Sequence, residues 1–454
     1  MRSHVVGGTA KERRLTFPSL QSSESLPASA AQARYVRGAT DGGWCNVNLG
    51  LGIDLPTNVT LAHVDHAINL LVGRHESLRT TFAWRGENIR RMVTPANHVG
   101  ACAVKRVTGT GFVEDSATAL LNEPFKLGGA PAFRCAVLEN ASVRRLVIIF
   151  HHSMVDAVSC RLLADELAGI MNGSGSASTR RHREAGQYRE FVEREIALET
   201  DSRKEFWARA LGRPHDLPPI LQDRQVVADG PLVVAPAPLT VSRGDVRKLR
   251  ARALLLGYGV GVTLAAIAVR AFADGELRNL RLGFAFANRR GARSRDMIGL
   301  VADILPMRIN CSTGSTIDEL ALRVHQELRR NLQQQMSLSA IMRSVGASVR
   351  PPFDIHVNFL PAYMSGAERT SRPLSIARVV DLKAERRRIV TTSLAIAPLR
   401  IKFVERGDGQ MLVIVESVGA TFGYSTLLAF ASHLVESVIA AVRDLKAPTL
   451  QVSL

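Results

Sequence analysis

Arg144-Arg145-Leu146-Val147-Ile148-Ile149-Phe150-His151-His152-Ser153-Met154-Val155-Asp156-Ala157-Val158-Ser159 is the stretch whose reading decides the fold. Leu146 to Phe150 is an unbroken apolar run, the pattern of a buried strand. Two histidines end it and an aspartate follows. An amphipathic helix then places Leu163, Leu167 and Ile170 on one face. A base at a strand end, in a cleft, is what a proton-transfer site needs. From these residues alone His152 is open to two readings, a catalytic base or a buried structural histidine.

Upstream, Phe133 to Leu138 reads as a strand, with Val143 to Phe150 its antiparallel neighbour. Phe112 to Leu121 reads as a helix and Asn46 to Ile53 as a strand. Pro56-Thr57-Asn58 is a helix start, followed by Leu61, Val64, Ile68 and Leu71 at helical spacing. Downstream, Asn172-Gly173-Ser174-Gly175-Ser176-Ala177-Ser178-Thr179 is a linker, continued by the charge run Arg180-Arg181-His182-Arg183.

The second half opens with a helix from Gln187 to Leu211, then a Pro-rich loop and a strand near Leu239. Strands follow at Leu282 to Phe286, after Ile298, at Phe353 to Leu360 and at Gln410 to Glu416. Helices are marked by Ile317, Leu320, Val324 and Leu328, and by Leu427 to Val442. Strands mixed with helices in both halves imply layered α/β or α+β domains. The boundaries read as a flexible N-terminus (1–25), an N-terminal domain (26–172), a linker (173–186) and a C-terminal domain (187–454).

A chain of 454 residues is long for one core, so two domains of roughly 200 residues each are expected. Hydrophobic content of 46% and charged content of 22% are ordinary for a soluble globular protein. The net charge of +17 suits an anionic partner, or reflects an Arg-rich composition with no partner behind it. The 5 cysteines are widely spaced with no CxxC, which argues for reduced thiols in a cytoplasmic protein and against a zinc site. The N-terminus has no apolar signal region. The uncharged run Ala253 to Val269 approaches spanning length. Gly257, Gly259 and Gly261 interrupt it and Thr263 can cap a new helix, so two helices around a turn are expected and no membrane span.

Several stretches then fall into a familiar order. His151-His152-Ser153-Met154-Val155-Asp156-Ala157 resembles H-H-x-x-x-D-G, with Ala157 at the glycine. Ser29 to Arg34 resembles S-x-A-Q-x-R, and Arg74 to Phe82 matches R-H-E-x-L-R-T-x-F. Glu123 to Arg134 resembles P-F-D-L-x-x-x-P-L-x-R, with Lys126 at the acid. Ala287-Asn288-Arg289 resembles A-G-R, and Ile298 to Pro306 resembles I-G-x-F-V-N-T-L-P, with Asp303 at the Asn. The chain from about Pro27 to Val442 thus resembles the condensation-domain branch of the CoA-dependent acyltransferase superfamily.

The resemblance implies a V of two chloramphenicol-acetyltransferase-like α/β domains around a central tunnel. It implies an acyl group moved from a thioester, on CoA or on a phosphopantetheinyl carrier protein, to an amine or hydroxyl. No bound metal or other cofactor is implied. His152 matches the catalytic histidine and His151 a structural one whose side chain points the other way. Asp156 matches an aspartate that pairs with the arginine at Arg74, with Arg289 a second possible partner. The residues alone give Asp156 another role, as helix N-cap for Val158 onward. Ala157, Ser159, Arg289 and Asp303 are substrate or tunnel candidates.

His152 and Asp156 could supply two metal ligands, but no second cluster completes a site. Gly173-Ser174-Gly175-Ser176 lies in a linker, not at a nucleophile elbow, and no phosphate-binding Gly-rich loop is present. Arg289, Arg290, Arg293, Arg295 and Arg386-Arg387-Arg388 read as a solvated face or as an attractor of CoA phosphates or an acidic carrier. Val418 to Tyr424 reads as a structural strand-to-helix turn. The expected protein is a free-standing monomeric acyltransferase of natural-product or lipid biosynthesis. The alternatives are a noncatalytic docking module and, more remotely, a nucleic-acid binder that lacks any recognisable stacking motif.

Overall fold

The computed structural model describes residues 23–40, 47–98, 104–108, 113–141, 144–171, 186–212, 233–234, 238–273, 279–311, 314–347, 353–361, 397, 399–418 and 424–443. The expected linker, the Pro-rich loop, Arg386 to Arg388 and most of the Val418–Tyr424 turn lie outside them.

The N-terminal half runs β1 (Glu24–Pro27), α1 (Ala30–Thr40), β2 (Asn48–Asp54), α2 (Leu61–Arg74), β3 (Thr80–Arg85), β4 (Asn88–Val93), β5 (Lys105–Thr108), α3 (Val113–Asn122), β6 (Phe133–Glu139), β7 (Arg144–His151) and α4 (Ala157–Met171). Its main sheet has the order β2-β7-β6-β5, with β7 antiparallel to both neighbours. Strand β7 is buried on both faces, as its unbroken apolar run requires. Leu146, Ile148 and Phe150 pack with α2 and α4. Val147 and Ile149 pack on the opposite face with Val113, Ala117 and Leu121 of α3. Each such side chain removed from water contributes about 1.5–3 kcal/mol, so this strand is held firmly up to its last residue, His151.

A smaller sheet, β1-β4-β3, lies beside it. Its strands lacked a clear alternating signal, and β1 falls where a flexible terminus was expected. Helix α2 begins later than the Pro56 signal indicated. Thr60 is its N-cap, accepting from His63 N at 3.2 Å.

The C-terminal half runs α5 (Tyr188–Ala197), α6 (Asp201–Leu211), β8 (Val233–Val234), β9 (Leu239–Val241), α7 (Arg243–Leu255), α8 (Val260–Ala273), β10 (Asn279–Phe286), α9 (Ala292–Arg295), β11 (Asp303–Asn310), α10 (Ile317–Gln333), α11 (Leu338–Ser344), β12 (Ile355–Leu360), β13 (Leu399–Glu405), β14 (Met411–Val418) and α12 (Tyr424–Arg443). Its sheet has the order β11-β10-β12-β13-β14, with β8 and β9 both pairing with β14. One face is apolar: Leu282, Ile355, Val357, Ile401, Phe403, Val413 and Val415 pack on helices α7, α8, α10 and α12.

Two helix expectations need correction. The single helix expected over 187–211 is two, because Thr200 starts a new N-terminus. The uncharged run does divide into α7 and α8, bent by 103°. Thr263 is not the cap, however; it lies inside α8, which starts at Val260. Among the described helices, Ser425–Arg443 is long and apolar enough to cross a membrane. Its Leu427, Ala431, Leu434, Val438, Ala441 and Val442 are buried against the sheet, as in a core helix.

The segment around Ile298 is one place where the halves meet. Ile298 lies in the core of the N-terminal half, and its carbonyl accepts from Ser77 Oγ at 2.7 Å. Gly299 passes so close to Tyr188 that a Cβ there would sit 2.0 Å from the ring. The Tyr188 hydroxyl, fully buried, contacts Ser29 Oγ at 2.9 Å and Leu300 O at 2.7 Å.

Candidate active site

Strand β7 delivers both histidines to this seam, and the alternation of a strand sends them opposite ways. His151 is 3% exposed. Its Nδ1 hydrogen-bonds Ser153 Oγ at 2.7 Å, and its ring meets Phe125 edge-on. Burial, with a smaller push from neighbouring His152, lowers its pKa to about 3. The ring is thus neutral and packed in the N-terminal half.

His152 is half-buried on the other side. Its backbone N–H donates to Val47 O at 3.1 Å, and its Nδ1 lies 3.0 Å from Val155 O. A carbonyl can only accept, so Nδ1 carries the proton in the neutral ring and Nε2 the lone pair. The ring lies against Tyr35, with centroids 4.6 Å apart and planes inclined at 33°.

Helix α1 brings Tyr35 there. Ser29 and Gln32 form a reciprocal capping box, with Gln32 N to Ser29 Oγ at 3.0 Å and Ser29 N to Gln32 Oε1 at 3.2 Å. Gln32 Nε2 also donates to Ser153 O at 3.1 Å, tying the helix to the histidine loop. Tyr35 and Gln32 share a face by i, i+3 spacing. That signal was present in the sequence, yet Tyr35 was not among the expected site residues.

Asp156 is a helix N-cap and an ion-pair partner of Arg289, the second of the two arginines considered for it. It is the N-cap of α4, with Ser159 N donating to Oδ1 at 2.7 Å. It also holds the other half: Arg289 Nη2 reaches Oδ1 at 2.8 Å, and Val301 N and Ala302 N donate to Oδ2 at 3.0 and 2.9 Å. Burial alone would raise this carboxyl. Arg289 and the N–H donors outweigh it and hold the pKa below the ordinary 3.8.

The implied Asp156–Arg74 bridge is not formed. Arg74 reaches Glu166 of α4, which His75 Nε2 also contacts at 2.7 Å. Arg74 therefore docks α2 on α4. Glu166 is a fully buried acid that needs such a partner, and nothing in the local pattern marked it.

The four substrate candidates separate. Ser159 is fully buried; its Oγ donates to Gly299 O at 2.7 Å and contacts Arg289 at 2.8 Å. Arg289 contacts Asp156 and the carbonyls of Ser294 and Met297. Both residues make these contacts at the seam between the halves. Asp303 accepts from Leu338 N at 2.9 Å and from Arg34 at 3.5 Å. Ala157 is the first residue of α4, half-buried, and has no positive φ, so a side chain is tolerated where the related pattern has glycine. The glycine of A-G-R is a different case. Asn288 stands there with φ 54°, the left-handed region that Asn tolerates better than most residues.

Two exposed members of the basic group make contacts within the C-terminal half. Arg290 donates to Leu332 O and Arg293 pairs with Glu190 at 2.7 Å. Cys160 is a free thiol. Burial pushes the Cys160 thiol, next to Asp156, well up, so it stays protonated. Among the described residues no cluster of His, Cys, Asp and Glu could hold a metal ion.

The family model described as Condensation domain matches residues 22–454. The chain belongs to the Condensation domain family. It is 27% identical over 402 residues to surfactin synthase subunit 2 of Bacillus subtilis (strain 168), covering 83% of this chain but 10% of that protein. It is 27% identical to phosphinothricin tripeptide synthetase PhsC of Streptomyces viridochromogenes, over 64% of this chain and 28% of that one. The chain thus spans a small part of the curated relatives it matches. Among solved structures it resembles the condensation domain of the monacolin K polyketide synthase MokA (TM-score 0.75, 14% identity, 93% of this chain and 98% of that one). It also resembles the X-domain from teicoplanin biosynthesis (TM-score 0.72, 20% identity, 93% and 96%). The fold is the condensation-domain α/β fold.

Proposed function

We propose that this condensation domain transfers an acyl group from a thioester, on CoA or on a carrier protein, to an amine or hydroxyl acceptor. The supporting observation is His152, held by its Nδ1 on a backbone carbonyl at 3.0 Å, at the seam between the halves. Its Nε2 accepts the acceptor's proton as the nucleophile attacks the thioester carbonyl. The C–N or C–O bond forms, the C–S bond breaks, and the proton passes to the departing thiolate. The change is redox-neutral and consumes no further reactant. Asp156 and Arg289 act at one remove, by fixing the loop that carries His152. Curated relatives are named as peptide synthases and synthetases, which supports a carrier-bound donor and a role in natural-product assembly.

A second reading is a docking module without chemistry. It is favoured by the likeness to an X-domain solved as a complex with OxyB. Purified protein offered acyl-CoA and acyl-carrier donors with mixed amines and alcohols, followed by product mass, separates the two. Acyl transfer that is lost in His152→Ala supports the first reading. Consumption of neither donor, or wild-type rates in His152→Ala, sinks it.

A further inference from the structure

Helix α1 has two faces, and they pack on different halves of the molecule. Val36 lies in the core of the N-terminal half. Ala31 and Tyr35, one turn apart, pack instead with Leu300, Ile304, Leu338 and Phe353 of the C-terminal half. The polar contacts of the helix divide the same way. In the N-terminal half, Gln32 Nε2 donates to Ser153 O at 3.1 Å and Arg37 Nη2 to Glu87 O at 2.9 Å. In the C-terminal half, Glu195 accepts from Ala30 N at 2.8 Å and Asp303 from Arg34 at 3.5 Å, while the Tyr188 hydroxyl contacts Ser29 Oγ at 2.9 Å. The helix is pinned from both sides, and Tyr35 reaches His152 from the face turned to the C-terminal half.

The two rings are stacked. Their centroids are 4.6 Å apart and their planes inclined at 33°, too close for rings lying side by side, so the imidazole lies over the tyrosine face. That face carries partial negative charge and attracts a cation held within about 6 Å of its centroid. An imidazolium gains more from it than a neutral imidazole does, so the contact discriminates between the two states through which a base passes. The phenol contributes no charge of its own. Burial raises its pKa above the ordinary 10.0, against a smaller pull from Arg34 and Arg400.

The charged groups around the stacked pair are these. His151, the neighbour in β7, is neutral, since burial lowers its pKa to about 3. Asp156, four residues on, is ion-paired with Arg289. Arg34, whose guanidinium carbon is 6.0 Å from the Tyr35 centroid, and Arg400 oppose a positive charge near Tyr35, and Asp303 favours one. Val155 O and the Tyr35 face touch the imidazole ring itself, and both favour its protonated form.

We infer that Tyr35 is a positioning residue for His152 whose ring face stabilises the imidazolium and so makes the histidine a stronger base. The inference deepens the acyl-transfer reading and rests on it for the proton that His152 takes up. Tyr35 makes and breaks no bond. The acceptor's proton moves to Nε2, and the ring face holds the resulting charge until the departing thiolate takes the proton. Because Tyr35 is fixed in a cluster of the C-terminal half, His152 has its full basicity only when the two halves are packed together.

The test uses the full chain with Tyr35→Phe as reference and progressively ring-fluorinated phenylalanines at position 35. Fluorine draws charge off the ring face with little change of shape, so packing is kept and the electrostatic part is isolated. Titration of His152 is followed by NMR of labelled histidine, its signal being the one missing from His152→Ala. The midpoint should fall stepwise along the series, by about one pH unit in all. Above the midpoint kcat/KM should fall by about two- to tenfold. A midpoint that stays fixed along the series overturns the inference, whether or not the rate falls. So does a Tyr35→Phe midpoint already as low as that of the most fluorinated protein, which would give the role to the hydroxyl. A midpoint that moves as expected in a protein that transfers no acyl group would instead overturn the transferase reading and leave the role of the Tyr35 face standing.

Discussion

Residues 74–82 and residues 151–159 are alike in composition and unlike in purpose. Both are buried and polar, and both carry histidine, an acid and serine. In the first stretch charges are matched within the N-terminal half and by Arg189 of the C-terminal half. Arg74 and His75 share Glu166, and Glu76 takes Arg91 at 3.1 Å and Arg189 at 2.8 Å. In the second, Asp156 is matched across the seam by Arg289. His152 hands one nitrogen to a backbone carbonyl, and its lone pair is left on the other. Both stretches reach the other half, the first through Glu76 on Arg189 and Ser77 Oγ on Ile298 O, so what sets the second apart is the histidine at its tip.

Substitutions test that contrast. The largest effect is expected for His152→Ala: a loss of about 10²–10⁴ in kcat/KM with an unchanged melting temperature, read from product mass and thermal denaturation. An equally large loss in a His75 variant that melts normally would erase the distinction between the stretches. Next is Asp156→Ala, which leaves Arg289 buried without its carboxylate and should cost about 3–5 kcal/mol of stability, measured by urea unfolding. Asp156→Asn keeps an N-cap for Ser159 and should recover part of that. Recovery of all of it would show that the cap alone matters and that the bridge across the seam does not.

Glu166→Gln should cost less, about 1–3 kcal/mol, because Arg74 is partly exposed and can be solvated. Its kcat/KM should stay near wild type, whereas a catalytic loss would tie the first stretch to the chemistry after all.

A last test, of pH dependence, concerns a buried acid that, unlike Asp156, forms no ion pair among the described residues. Glu195 accepts from Ala30 N at 2.8 Å, and burial, aided by Asp303 and Glu199, raises its pKa from 4.5 to about 8. The folded protein then keeps a proton that the unfolded chain releases. The stabilisation is complete below pH 4.5 and is lost as pH rises through about 8. The slope is at most about 1.4 kcal/mol per pH unit. Glu195→Gln keeps an oxygen for Ala30 N and should flatten the stability profile between pH 5 and 8. An unchanged profile would show that Glu195 does not titrate in that window.

The strands and helices near the histidines were legible because burial on both faces, as in β7, or on one, as in α4, leaves a local period. Residues 88–93, 105–108 and 399–405 were not read as strands; 105–108 is short, whereas 399–405 does alternate apolar residues with Arg400 and Lys402, the pattern of a strand with one polar face. The histidine pair and its capping aspartate could be read because they are contiguous. Tyr35 could have been found by its spacing from Gln32, but its contact with His152 belongs to the packing of α1. Glu166 and Glu195 sit in helices whose acids carry no mark of what they meet.

The sequence by itself determined the family resemblance, the opposed orientation of His151 and His152, and most of the order of elements, because each rests on neighbours in the chain. The tertiary structure alone decided which arginine meets Asp156, what Arg74 holds, and that the Tyr35 ring lies on His152. Ion pairs and hydrogen bonds form between whatever groups the fold brings within about 3 Å. Asp156 and Arg289, 133 positions apart in the chain, meet because two halves close on one another.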